Sequence, residues 1–190
     1  MNIWKHFNTI THHKILVAKG CFKVGLYKQG LLHDMSKYSP TEFWVGAKYY
    51  QGTRSPNNAE REDIGYSSAW LHHKGRNKHH YEYWIDYSMQ ALPGGMAPVP
   101  MPDKYIAEMI MDRIAASKVY MGGEYTDRSP LDYYYQGTDR APIHPETKAK
   151  LLYVLEMLAE EGEEKTFRFI KEELVQHKRC MDWHQLEKAE

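Results

Sequence analysis

Residues 102–120 read Pro-Asp-Lys-Tyr-Ile-Ala-Glu-Met-Ile-Met-Asp-Arg-Ile-Ala-Ala-Ser-Lys-Val-Tyr, and the reading of this stretch decides the fold class. Pro102 and Asp103 suit a helix start. Ile106, Met109, Ile110, Ile114 and Ala115 then return at three- and four-residue intervals, the period of one buried helix face. The same period recurs on both sides. Upstream, Ile10, His13, Val17 and Cys21, continued by Val24, predict a helix over 9–30 that Gly25 and Gly30 break or end. After a short segment at 31–37, Ser39, Pro40 and Glu42 form a capping-box start for a helix reaching about Tyr50. Residues 64–73 predict a helix ending near Gly75, and the aromatic run 80–90 a further helical segment. Downstream, Pro145 opens a helix to about Glu160 with Leu151, Leu152, Val154, Leu155 and Leu158 on its apolar face, and Gly162 separates it from a last helix over about 163–180. Alternation of apolar and polar residues is nearly absent, so the expected class is all-α, with loops at 51–63, 91–102 and 121–143.

At 190 residues, with no internal repeat and no low-complexity linker, the chain reads as a single domain over 1–190. Lys+Arg and Asp+Glu are both 25, so there is no cationic excess, which disfavours nucleic acid as a partner. Two cysteines, Cys21 and Cys180, are too few for a disulfide scaffold or a cysteine-rich zinc site. No apolar run of about 18 residues exists, so no membrane partner is expected. Residues 1–11 lack the apolar core of a signal peptide, and a cytoplasmic location is the expectation. The unusual feature is histidine: eight of the 11 lie before residue 81, and four lie within 72–80.

These histidines fall into groups with aspartates. In Leu31-Leu32-His33-Asp34-Met35-Ser36-Lys37, a neighbouring imidazole and carboxylate offer nitrogen and oxygen to a divalent ion, and the carboxylate has a second oxygen to bridge another. Taken alone the pair also reads as a helix end beside a surface histidine. Residues 71–82 hold His72, His73, His79 and His80 around Gly75 and Asn77, a turn signal that could bring the two pairs together. Its bland alternative is an exposed basic loop, since Lys74, Arg76 and Lys78 lie inside it. Asp112 borders the buried stripe of its helix, which is unfavourable for a carboxylate without a partner. A helix-face ion pair with Arg113 or Lys118 would also account for it. His13 shares a face with Val17, where a single histidine is often a core or boundary residue; its neighbour His12 points off the stripe.

Taken together, the order His13, His33-Asp34, His73, His80, Asp112 resembles the HD-domain superfamily of metal-dependent phosphohydrolases. His33-Asp34-Met35-Ser36-Lys37 is similar to that family's His-Asp doublet followed by two residues and a lysine, with Ser36 where glycine is common. His13-Lys14-Ile15-Leu16-Val17 resembles its first-helix segment, and the 72–82 stretch resembles the extra histidines of two-metal members. The resemblance covers about residues 10–120; helices at 145–180 would pack on that core or leave a homo-oligomer contact open. The same strings also resemble an uncharacterised bacterial and phage group.

The resemblance implies an HD-type helical bundle. His13, His33, Asp34 and Asp112 would hold one divalent ion, and Asp34 would bridge to a second held by His73 and His80, with His72 and His79 as alternates. One or two ions of Mn, Fe, Co, Zn, Ni or Mg would activate a hydroxide for attack on a nucleotide or other small phosphoester. Asp34 and Lys37 are the expected catalytic residues, Lys37 by neutralising a phosphate oxygen. Lys74, Arg76, Asn77 and Lys78 are expected to bind the rest of the phosphorylated substrate. Tyr133–Tyr135, Tyr81, Tyr83 and Trp84 could stack a base, or serve as ordinary boundary residues. The same ligand types also suit an HD-type di-iron oxygenase, and a non-catalytic HD-fold binding module would lack the metal.

Overall fold

The computed structural model describes residues 1–89, 95–137, 141–178 and 183. The fold is all-α: α1 (Ile3–Lys23), α2 (Tyr27–Leu32), α3 (Pro40–Lys48), α4 (Pro56–Ile64), α5 (Ser68–Lys74), α6 (Asp103–Met121), α7 (Ser129–Tyr135) and α8 (Pro145–Phe169). A small antiparallel hairpin, β1 (Ile85–Tyr87) and β2 (Met96–Pro98), pairs Asp86 with Ala97. One cluster of buried side chains runs from Val17 to Leu174. Among the described residues, no helix is long and apolar enough to cross a membrane.

The site depends on three helices. α1 turns His6, Ile10, His13, Val17 and Cys21 inward at i, i+3/i+4 spacing. It packs along α6, close enough at Gly20 that an added Cβ would stand 2.7 Å from Met111 Sδ. α6 buries Ile106, Ala107, Ile110 and Ile114 fully or nearly so, and α8 covers its other side with Leu151, Val154, Leu155 and Leu158. Each such aliphatic side chain withdrawn from water contributes about 2 kcal/mol, and the three-helix contact is the fold's main apolar store.

Several boundaries differ from the sequence reading. The helix expected over 9–30 starts earlier and is two helices, because Gly25 adopts φ +88 and turns the chain. The loop expected at 51–63 contains α4, started by Ser55 Oγ, which accepts from Asn57 N. Gly65, at φ +84, ends it, so the helix expected from Ile64 begins only at Ser68. The aromatic run 80–90 is not a helix: a 3-10 turn, Tyr81–Trp84, leads into β1, and the connector expected at 91–102 supplies β2. The loop expected at 121–143 contains α7. At Gly162 the expected separation does occur: its backbone is not helical (φ 80, ψ 172), so α8 is two helical stretches meeting at a kink, and a π-helical segment, Ile170–Val175, follows. Cys180 and the end of the helix expected over 163–180 lie outside the described residues.

Candidate metal centre

Adjacent side chains on a regular helix diverge by about 100°, so His33 and Asp34 could not meet if α2 simply continued. It does not continue. His33 caps α2 in an extended conformation, and Asp34 adopts the left-handed region at φ 53, ψ 26, unusual for a residue with a Cβ. That reversal sets His33 Nε2 3.3 Å from Asp34 Oδ2. Lys14 on α1 fastens the turn by donating to the carbonyls of Leu31 at 2.7 Å and His33 at 2.8 Å. A similar reversal follows α5. Asn77 N donates to His73 O, and its side-chain amide donates to the same carbonyl and to Ser36 Oγ. The chain therefore doubles back, and His80 Nε2 comes within 2.9 Å of His73 Nε2, with Trp70 packed against both rings.

The result is two groups of donor atoms that share Asp34. The first is His13, His33, Asp34 and Asp112; the second is Asp34, His73, His79 and His80; within each, one donor atom per residue lies within 4.8 Å of the others. In the first, His13 Nε2 is 2.9 Å and His33 Nε2 3.4 Å from Asp112 Oδ1, and His13 Nε2 is 3.8 Å from Asp34 Oδ2. In the second, Asp34 Oδ1 is 3.2 Å from His73 Nε2 and 3.4 Å from His79 Nε2. Donors about 2.1 Å from an ion stand roughly 3.0 Å apart on an octahedron and roughly 3.4 Å apart on a tetrahedron, so these separations suit a coordination shell. Orphaned polar atoms point the same way. His13 Nε2, His33 Nε2, His79 Nε2 and both oxygens of Asp34 are buried without a well-aligned hydrogen bond among the described residues. Buried polar atoms are normally satisfied, and five atoms that have close neighbours but no aligned bond fit cations between them.

Electrostatics agree. Asp34, Asp112, Glu108 and Glu42 face the cluster against the ammonium groups of Lys37 and Lys14, a formal deficit of two positive charges when the imidazoles are neutral. Burial alone would raise the Asp34 carboxyl, but His33, Lys37 and His73 overcome it and hold it well below its usual range. For Asp112 too burial is outweighed, by His13 and His33. Burial lowers His13, and burial with His79 and His73 holds His80 well below its ordinary value, the neutral form in which imidazole ligates a metal. His33 and His73 are raised despite burial because carboxylates surround them, the place a divalent cation would take.

Of the residues singled out in the sequence, His13, His33, Asp34, His73, His79, His80 and Asp112 come together, both members of the 79/80 pair included. His72 does not; its Nδ1 turns to Glu42 Oε1 at 2.6 Å. Lys37 Nζ is 2.6 Å from Asp34 Oδ2. Asn77 is occupied in the turn, Arg76 Nη1 donates to His72 O, Lys78 lies over the rings of Tyr83 and Tyr105, and Lys74 is half-buried. Three functional neighbours were missed. Glu108 accepts from His33 Nδ1 at 3.0 Å, and Glu42 from His73 Nδ1 at 2.8 Å. Glu42 is thus not a capping-box residue, and Ser39 makes no side-chain cap. Lys14 is the third. The missed signal for Glu108 was the one that flagged Asp112: a carboxylate on a buried stripe, one turn earlier.

An all-α bundle with a buried histidine–carboxylate cluster, its donor atoms spaced as a metal ion would need, is the class that fold and site define. The chain belongs to a family of unknown function (DUF5662), whose model matches residues 2–157 and so takes in every donor named above. No curated protein and no solved structure matches the chain significantly.

Proposed function

We propose that the protein is a divalent-metal-dependent phosphohydrolase of the HD type, acting on a nucleotide or other small phosphoester. The observation that carries this reading is the convergence of histidine and aspartate donor atoms from α1, the α2 turn, the 72–80 turn and α6 in two groups that share Asp34. Two divalent ions in these groups would supply a water of lowered pKa and stabilise negative charge on the oxygens at phosphorus. The protein's own residues supply the rest. The side chains of His33 and Asp34 are 2% exposed or less, whereas Asp112 is 17% and Lys37 30% exposed, so substrate reaches the centre over Asp112 and Lys37. Burial opposes the charge on Lys37, but Asp34 and Asp112 outweigh it and keep the ammonium protonated, able to hold a phosphate oxygen. Tyr81, which follows His80 in the chain, lines a half-open surface recess with Tyr133, Gln136 and Gly137.

The test is the double substitution His33→Ala, Asp34→Ala, which is expected to abolish binding of Mn, Co or Fe while retaining helix content. Wild type is expected to release phosphate from nucleoside monophosphates, cyclic dinucleotides or general phosphoesters with one of these metals. Lys37→Met is expected to lower kcat/KM by about 100-fold. Oxygen uptake without phosphate release would replace the reading by an iron oxygenase. No more than a trace of bound metal, with wild type and double variant behaving alike, would replace it by a non-catalytic module.

A further inference from the structure

Glu108 and Glu42 each accept from imidazole Nδ1 atoms, but they are not equivalent. A single oxygen, Glu108 Oε1, is 3.0 Å from His33 Nδ1 and 3.2 Å from His79 Nδ1. The two rings lie side by side with centroids 4.3 Å apart, and they belong to different donor groups, His33 to the first and His79 to the second. Glu42 uses one oxygen for His73 Nδ1 at 2.8 Å and the other for His72 Nδ1 at 2.6 Å, and His72 belongs to neither group. Glu108 thus touches both groups, Glu42 only the second. Glu108 Oε1 with the two Nδ1 atoms could itself be taken for a third ion site. Hydrogen-bond lengths, and Nε2 atoms already facing Asp34, make it an orienting carboxylate instead.

We infer that Glu108 is a positioning residue that couples the two ion positions so that they fill together, while Glu42 serves the second position alone. This rests on the metal reading above. A carboxylate accepting from Nδ1 fixes the ring's tautomer and angle and makes Nε2 a better donor. Because one oxygen orients both rings, ordering His33 around a first ion also orders the acceptor that His79 needs. The cost of arranging the second position is then largely met before its ion arrives, which is positive cooperativity without any movement of backbone. Asp34 also joins the groups, but its removal would delete a ligand outright. Glu108 can be altered with every donor atom left in place.

The experiment is a Mn(II) titration, by calorimetry and equilibrium dialysis, of the metal-stripped full chain as wild type, Glu108→Gln and Glu42→Gln. Wild type is expected to bind two ions, the second no more weakly than the first. Glu42→Gln is expected to weaken one ion by about 10- to 100-fold and to leave the intrinsic affinity of the other position unchanged. Glu108→Gln is expected to weaken both by a similar factor and to abolish cooperativity. Glu108→Asp, which keeps the charge, is expected to recover part of the loss and serves as the test should the glutamine variant fail to fold. A merely structural loosening would lower the unfolding temperature of both variants without separating their stoichiometries. If Glu108→Gln titrates as wild type, or loses one position only, the coupling is overturned. A wild-type chain that binds no ion would overturn the metal reading itself, a separate result.

Discussion

His6 stands on the same inward face of α1 as His13, yet it serves packing rather than the centre. Its ring lies against Phe43 and Tyr50, 5.4 and 6.0 Å between centroids, and over Gly46. Burial, helped by the positive charge of Lys37, lowers its pKa from 6.5 to about 4. Above pH 6.5 both folded and unfolded chains leave this imidazole neutral, and it adds no pH dependence. Between 6.5 and about 4 the unfolded chain takes the proton first, so stability falls as pH drops through that window. Replacing His6 by Asn is expected to flatten this acid loss by about 2 kcal/mol, read as the change in urea-unfolding free energy between pH 7 and pH 4.5. At this scale the donors were legible because histidine and aspartate are costly on a buried stripe unless they have partners. Their supports were not: Glu42 occupies the third place after Ser39, where a local capping role and a distant imidazole are equally good partners for a carboxylate.

Glycines set how closely the helices approach. At Gly46 on α3 an added Cβ would stand inside van der Waals contact of the His6 ring, which is buried and cannot swing away. Gly46→Ala is therefore expected to destabilise the protein by about 1–3 kcal/mol despite alanine's better helix propensity. At Gly20 on α1 the obstacle is the thioether of Met111, the far end of a flexible side chain. Gly20→Ala is expected to change stability by less than about 0.5 kcal/mol, since the gain in helix propensity offsets the shift of the methionine. Thermal unfolding of the two variants side by side checks the contrast. Elements with an apolar period were legible and those without one were not. α4 buries only Ala59 and Glu60, and it is held by the Ser55 cap and by the Glu60 carboxylate, which accepts from Ser67 and Ser68 hydroxyls. Its Ser-Pro start matches that of α3, but a polar stretch hides it. The strands of the hairpin are three residues each, too short for alternation to show.

Across the whole molecule, α6 is the spine: one side carries Glu108 and Asp112, and the C-terminal helix packs on the other. Lys150 on α8, nearly buried, joins them with its Nζ 2.7 Å from Asp103 Oδ1 and 2.6 Å from Glu146 Oε1. Lys150→Met removes the ammonium but leaves both carboxylates partly in water, so the expected cost is about 2 kcal/mol, below that of stranding a buried charge. Denaturant unfolding reads the loss, and unchanged Mn(II) stoichiometry would show that the far side of the spine is unaffected. That residues as distant as His13 and Asp112 belong together was readable only through a known pattern, because spacing alone carries no register between helices. The bend at Gly162 has a consequence of size. A straight helix over 145–175 would be a rod of about 46 Å, while a globule of this chain length is roughly 40 Å across. Glycine alone tolerates that backbone conformation, and a Cβ there would also press on Asp127 Oδ2 at 3.3 Å. One missing carbon thus keeps residues 163–175 tucked against the body of the molecule instead of overhanging into solvent.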